Sequence, residues 1–136
     1  MINQKSSTIA VIDRHDRLLL LLRGETAPYN PSKYCLPGGK LEENESLVDC
    51  AIRELYEETS IEIYGRSQYL KPVDVVYRNG NSKVVFLYRS PYIHSVCLNW
   101  EHSSYDWVSL ADTFSKPLVP GLRTTIKRIG QLTGLL

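Results

Sequence analysis

The sequence predicts an α/β sandwich, and three observations predict it. Apolar, β-branched and leucine-rich runs bounded by polar turns fill the start of the chain. An apolar stripe at helical spacing occupies residues 45–59. Further strand-like runs then precede an amphipathic segment at 122–132. Strands first, then mixed strands and helices, is the pattern of a sheet covered by helices. The 136 residues are the size of one domain and enough to bury a core.

Residues 8–13, TIAVID, are apolar and β-branched and predict the first strand. Residues 13–16, DRHD, form a polar turn, and 18–23 predict a second strand pairing back as a hairpin. The five consecutive leucines at 18–22 fit a strand covered on both faces. Residues 24–33, GETAPYNPSK, hold two prolines and no periodicity. They predict a loop long enough to suggest ligand binding. Residues 34–36 predict a short strand ending at the turn Pro37-Gly38-Gly39.

A helix is predicted over 45–59. Leu47, Val48, Ala51, Ile52 and Leu55 form one apolar stripe, and Ser46 with Asp49 three residues on resembles a capping box. Residues 69–77 and 83–89 predict strands joined through Asn79-Gly80-Asn81. Residues 95–99 and 105–108 predict two more strands. Residues 118–121 form a Pro/Gly loop, and 122–132 a last helix with Leu122, Ile126 and Ile129 inward. No repeat, low-complexity tract or linker divides the chain, which reads as one domain over 1–136.

Hydrophobic residues make up 43% and charged residues 23%, with a net charge of +1. No global field draws such a chain to nucleic acid or to an anionic membrane. The longest pure apolar run, 18–22, is far too short to span a bilayer. The N-terminal stretch MINQKSSTIAVID lacks the pattern of a signal peptide. Cys35, Cys50 and Cys97 are odd in number and widely spaced, without a CxxC pair. These features predict a cytoplasmic protein with buried free thiols.

Residues 53–59, RELYEET, place three carboxylates within five positions. Residues three and four apart share a helix face, so Glu54, Glu57 and Glu58 are neighbours beside the apolar stripe. Arg53, four residues before Glu57, is placed to pair with it. Such a run in isolation reads as a solvated acidic face. Here it follows Leu36-Pro37-Gly38-Gly39-Lys40, whose glycines let the backbone approach a ligand and whose carbonyls are hard donors. A divalent cation would relieve the repulsion among carboxylates.

These residues resemble the Nudix hydrolases. Their box is a glycine, five residues, a glutamate, seven residues, then Arg-Glu-aliphatic-x-Glu-Glu-x-Gly-aliphatic. The chain supplies Gly39, Glu45, Arg53, Glu54, Leu55, Glu57, Glu58 and Ile61 at those spacings. Six are residue-type matches, and coincidence is on the order of one in ten million per start position. Ser60 stands where the family has glycine, at the helix end where a left-handed conformation costs serine about 1 kcal/mol. Residues 101–107, EHSSYDW, resemble the EHxxYxW segment of several Nudix branches.

The resemblance implies a Nudix α/β/α sandwich with a mixed central sheet and a metal-dependent pyrophosphohydrolase. Glu54, Glu57 and Glu58 would hold Mg²⁺ or Mn²⁺, with the Gly38 carbonyl and Glu101 as further ligands. The ions would neutralise phosphate and acidify a bound water for attack on phosphorus. Glu54 is the first candidate for the base that takes the water's proton, and Glu101 the alternative. Arg53 would orient a glutamate of the box, and Glu45 would support the cluster from behind. Arg23, Gly39 and Lys40 are candidates for binding the substrate, and Tyr29 or Tyr34 for stacking on a base. The basic face of Arg123, Lys127 and Arg128 reads as solvated surface.

The expected substrate is a nucleotide-type small molecule, first a nucleoside triphosphate cleaved to monophosphate and pyrophosphate. Dinucleoside polyphosphates, ADP-ribose and other nucleotide sugars, and the 5′ end of RNA are the rivals. The RNA end is the single nucleic-acid partner implied, and no membrane partner is. A homodimer, with 95–99 as an exposed edge, follows by analogy with relatives. A sensor or partner-binding domain without turnover is the reading from another class. The complete set of box glutamates with Arg53 speaks for the enzyme. A structural Ca²⁺ site lacks EF-hand spacing.

Overall fold

The leucine run organises the sheet. In β2 (Arg17–Arg23), Leu19 and Leu21 enter one apolar layer while Leu18 and Leu20 enter the other, all fully buried. β1 (Lys5–Ile12) alternates in the same way, with Ile9 and Val11 on one face and Ala10 and Ile12 on the other. A strand whose two faces are both apolar requires a cover on each side. The structure, a computed structural model, describes residues 4–136 and supplies both covers. The first three residues of the N-terminal stretch lie outside those described.

Helix α1 (Leu47–Thr59) lays Ala51, Ile52 and Leu55 on the Ile9 face. Helix α3 (Leu122–Thr133) lays Leu122, Ile126 and Ile129 on the Ala10 face. A one-turn helix, α2 (Leu110–Thr113), follows the last strand. The sheet path runs β3 (Tyr34–Cys35), β2, β1, β6 (Asn81–Arg89), β5 (Lys71–Arg78), with β4 (Gly38–Lys40) also on β1 and β7 (His102–Ser109) also on β2. β1 and β6 are parallel and the other pairs antiparallel, so the sheet is mixed and the fold is the expected α/β/α sandwich.

The predicted β1–β2 hairpin closes through one register pair, Ile12↔Leu18. Beyond it the strands take separate partners. β3 pairs β2 at Leu21 and Leu22, while β4 pairs β1 at Ser6, Ser7 and Thr8. The chain therefore crosses the fork between them at Leu36-Pro37, where the Pro37 carbonyl accepts from Ile9 N–H at 2.9 Å. This corrects the reading of Pro37-Gly38-Gly39 as a turn: Gly38 and Gly39 are strand residues. A Cβ on Gly38 would collide with Thr8 and the Ser7 carbonyl, so only glycine lets β4 lie this close to β1.

Residues 95–99 are not a strand and so offer no edge to a second subunit. Their apolar alternation has another cause: Val96 and Leu98 pack on the core under α1, and Cys97 N–H donates to the Thr59 carbonyl at 2.9 Å. Cys35 and Cys50 are buried as expected, but Cys97 is exposed because its neighbours face inward. At the β5–β6 hairpin Asn79 and Gly80 both take positive φ, 52° and 79°, which suits the twist of paired strands. Among the described residues no helix is long and apolar enough to cross a membrane.

α1 begins two residues later than predicted, at Leu47, because Ser46 is the cap and accepts from Asp49 N–H at 3.0 Å. It ends with Ser60 in the left-handed conformation, φ 63°, its N–H bonded to the Tyr56 carbonyl at 2.8 Å. The Ser60 hydroxyl donates to the Cys97 carbonyl at 3.3 Å, tying the helix end to the loop. That exposed bond offsets little of the backbone strain. Ser60→Gly is therefore expected to stabilise the protein by about 0.5–1 kcal/mol and raise Tm by about 3 °C, with turnover unchanged. A lower Tm in thermal unfolding would show that the hydroxyl bond outweighs the strain.

Candidate active site

The end of β4, the segment leading into α1 and α1 itself meet around Arg53. Its guanidinium grips Glu45 in a fork, Nε to Oε2 at 2.7 Å and Nη2 to Oε1 at 3.0 Å. Nη1 donates to Glu54 at 2.9 Å and to Glu57 at 3.2 Å, while Nη2 donates to the Lys40 carbonyl at 3.1 Å. Glu42 approaches Nε at 3.1 Å. One planar cation thus holds the acidic face together, which lysine, a single point charge, would not do. The bonds from Arg53 hold the Glu45 carboxyl below its usual range, and those to Glu45 above all raise the pKa of Arg53.

Gly39 is fixed by the same cluster. A Cβ there would overlap the Glu54 carboxylate, so glycine lets that side chain lie flat against β4. Glu58 points the other way, into the protein, and is 1% exposed. It accepts from Gly38 N–H at 3.1 Å. Burial pushes its pKa up to about 9; the Gly38 bond opposes this, and the neighbouring Glu54 and the charge of Glu101 add to it.

His102 Nε2 lies 3.6 Å from Glu58 Oε1 and 3.6 Å from Cys35 Sγ. Burial, then the charge of Arg23, pushes His102 down to about 4. With the carboxyl protonated and the imidazole neutral near pH 7, the 3.6 Å approach is not an ion pair. Burial also raises the Cys35 thiol to about 11, so it stays protonated.

A cleft of about 360 Å³ opens beside Glu58. Arg23, Gly38, Gly39, Lys40, Glu58 and Glu101 line it. Of the remaining candidates, Glu54 is packed against Gly39, Glu57 is half-exposed on the outer helix face, and Arg53 and Glu45 stand behind. Glu101 lies on the loop entering β7, its Oε1 accepting from Asn99 Nδ2 at 3.3 Å. Arg23 is steadied by its Nε donating to the Tyr29 carbonyl at 2.8 Å. Tyr34 is taken up by Lys116, whose ammonium sits 4.8 Å from the ring centre. The basic face of α3 is also engaged, Arg128 with Asp74 at 3.1 Å and Arg123 over Phe114 at 4.7 Å.

Sequence reasoning missed Thr8, Arg78, Lys83 and His102, which also line the cleft. His102 stood inside the quoted EHSSYDW segment and was passed over for its neighbour. Lys83 carried no local signal; it arrives because β6 runs parallel to β1 and sets Lys83 opposite Ser6. Its burial lowers its pKa. The Thr8 hydroxyl is buried without a partner among the described residues.

Among the described residues no three carboxylate, imidazole or thiol groups converge closely enough to enclose a metal ion as they stand. Arg53 draws Glu54 and Glu57 to itself. The donor set nevertheless fits a hard divalent cation. Carboxylate oxygens and glycine backbone surround the inner end of the cleft, and Glu58 is a buried carboxyl whose charged form has no cation beside it. A cation entering there would compensate that charge.

The NUDIX domain family matches residues 3–129 of the chain. The crystal structure of a MutT protein from Methanosarcina mazei Go1 is similar at 27% identity and TM-score 0.75, covering 96% of this chain and 95% of that one. The NUDIX domain of Shewanella oneidensis NrtR, crystallised with ADP ribose, superposes at TM-score 0.81 with 21% identity over 98% of this chain and 90% of that one. Subunit 2 of the mRNA decapping complex of Schizosaccharomyces pombe (strain 972 / ATCC 24843) is 34% identical over 77 residues, 57% of this chain. The chain spans about a tenth of that relative's length.

Proposed function

The chain belongs to the NUDIX domain family, whose hydrolases act on phosphoanhydride bonds, and from that premise we propose that it cleaves a nucleoside diphosphate linked to a further group. The observation that carries this reading is the cleft itself. The buried Glu58, the Gly38-Gly39 backbone and Glu101 share one wall system with the cations Arg23, Lys40 and Lys83. Carboxylates for a metal and cations for phosphate oxygens are what a diphosphate needs on its two sides.

Glu54, Glu57, Glu58 and Glu101 would hold Mg²⁺ or Mn²⁺ with the Gly38 carbonyl; when bound, the metal would supply charge neutralisation and an acidified water. Arg53 positions Glu54 and Glu57, and Glu45 positions Arg53. Arg23 and Lys40 bind phosphate oxygens, with Gly39 leaving room for the backbone to approach. Glu101 is the better-supported proton acceptor. It lines the cleft, whereas Glu54 is bonded to Arg53 and covered by Gly39. A nucleoside triphosphate is the smallest substrate with the required phosphates. The likeness to the decapping subunit supports the 5′ end of RNA as a second reading, served by the extra cations Arg78 and Lys83.

Purified protein with Mg²⁺ or with Mn²⁺ is expected to turn over at least one class among nucleoside triphosphates, dinucleoside polyphosphates, nucleotide sugars and triphosphorylated RNA. Chromatography of the products would identify the phosphorus attacked. No turnover of any class, with the metal bound, would overturn the enzyme reading in favour of a nucleotide sensor.

A further inference from the structure

Glu58 and Glu101 line one cleft from two segments, Glu58 on α1 and Glu101 on the loop before β7. A helix and a loop keep a fixed spacing only where something ties them. The last carbonyls of α1 have no partner within the helix and must find one outside it. The Thr59 carbonyl accepts from Cys97 N–H at 2.9 Å, and the Glu58 carbonyl accepts from Asn99 N–H at 3.4 Å. The loop therefore lies along the end of α1, and Asn99 is seated on the main chain of Glu58 itself.

From that anchor the half-buried Asn99 reaches Glu101 with both ends of its amide. Oδ1 accepts from Glu101 N–H at 3.1 Å, closing a turn two residues on, and Nδ2 donates to Glu101 Oε1 at 3.3 Å. Among the described residues this is the one side-chain hydrogen bond made to the Glu101 carboxylate. An amide supplies the acceptor and the donor together; aspartate lacks the donor, and serine lacks the reach. Arg53 holds Glu54 and Glu57 in the same sense, but it does not touch Glu101.

We propose that Asn99 is a positioning residue that fixes the Glu101 carboxylate at a set spacing from Glu58, through the Glu58 main chain on one side and the Glu101 side chain on the other. This rests on the hydrolase reading above, in which both carboxylates serve the metal and Glu101 takes the proton. Without the amide the exposed Glu101 side chain is free to turn into solvent, and returning it to the cleft costs rotamer entropy. Asn99 itself is neutral and does not line the cleft, so it acts through Glu101 and not on the substrate.

The test is a double-mutant cycle with two readouts. One is Mn²⁺ binding to the protein alone, followed by the paramagnetic resonance of the free ion. The other is steady-state turnover of whichever of the four substrate classes the wild-type protein cleaves. Asn99→Ala is expected to lower kcat about tenfold and to weaken Mn²⁺ binding about threefold or more, with KM within about twofold and Tm within about 3 °C of wild type. Either loss alone supports the proposal, since Glu101 serves both the ion and the proton. In a Glu101→Gln background the same substitution is expected to change neither quantity by more than about twofold, because the group it acts through is already gone. Asn99→Ser keeps an oxygen for the Glu101 N–H but cannot reach the carboxylate, so it is expected to hold the wild-type Tm and still show the Asn99→Ala defect. Wild-type kcat and Mn²⁺ affinity in Asn99→Ala would overturn the proposal. So would an undiminished loss on top of Glu101→Gln, which would place the effect in the fold of the loop, or full recovery in Asn99→Ser, which would leave Asn99 only its turn. A wild-type protein that binds Mn²⁺ and cleaves nothing would sink the hydrolase reading instead, and the Mn²⁺ arm of the cycle would still decide on Asn99.

Discussion

Arg53→Ala is expected to cost about 2–4 kcal/mol of stability and about a hundredfold or more in turnover. The stability loss follows from what the guanidinium holds. Its side chain is about one-fifth exposed, and it bonds Glu45 twice, Glu54, Glu57 and the Lys40 carbonyl. Removing it leaves Glu45 and Glu54, each largely buried, without the cation that faces them. The activity loss follows from alignment, because Glu54 and Glu57 would turn apart once their shared donor is gone. Arg53→Lys separates the two effects. A lysine restores one positive charge but not the fork to Glu45, so it is expected to recover much of the stability and little of the turnover. Urea unfolding midpoints and kcat for both variants check this. Adding Glu45→Gln to Arg53→Ala is expected to cost little more, since residues acting as one unit are not additive. Full turnover in Arg53→Ala would remove Arg53 from the catalytic machinery.

Much of this was legible in the sequence because it was local. The α1 stripe, the Ser46 cap, the Asn79-Gly80 hairpin and the pairing of Arg53 with Glu57 all depend on residues within one turn or one hairpin of each other, whereas Glu58 leaves the shared carboxylate face and turns into the protein. The two-sided burial of the leucines was legible for the same reason: an unbroken apolar run leaves no polar face to expose. What failed was non-local. Gly38 and Gly39 looked like a turn because glycine pairs usually mark one. Their strand character depends on β1 and β2 separating after a single register pair, which no window of sequence reports. The alternation at 95–99 imitated a strand because Val96 and Leu98 are buried by α1 rather than by sheet neighbours. Thr8, Lys83 and Arg78 reached the cleft through the parallel pairing of β1 with β6 and the antiparallel return of β5, so they carried no motif of their own. His102 was visible beside Glu101, but a lone histidine gave no hint that it would be buried against Glu58 and Cys35.

Glu58→Gln is expected to abolish turnover, by about a thousandfold, while making the metal-free protein more stable above neutral pH. The two effects have one origin. The folded protein raises Glu58 from the ordinary 4.5 to about 9, so between those pH values the native state holds a proton that the unfolded chain has released. Stability therefore falls as pH rises through that window. His102 acts with the opposite sign: depressed from 6.5 to about 4, it favours the unfolded state as a proton acceptor between those values and adds a rise in stability with pH. The two offset each other from about 4.5 to 6.5. Above 6.5 no carboxylate or imidazole opposes Glu58, and the chelated wild-type protein is expected to lose stability up to about pH 9, with the lowered Lys83 working against the loss at the alkaline end. Glutamine keeps an oxygen for the Gly38 N–H and carries no charge, so the variant is expected to show a flatter profile from 6.5 to 9 and a gain on the order of a few kcal/mol at pH 8. Adding Mg²⁺ is expected to flatten the wild-type profile as well, since a cation beside Glu58 favours its charged form, and to leave the variant unmoved. Thermal unfolding across pH, with chelator and with Mg²⁺, measures all four curves. A wild-type profile already flat without metal would mean that the buried carboxyl is not costly, and a variant that still gains stability from Mg²⁺ would place the cation away from Glu58. If the curves run as expected, the repulsion and burial carried by the acidic face are the energy that a bound cation recovers.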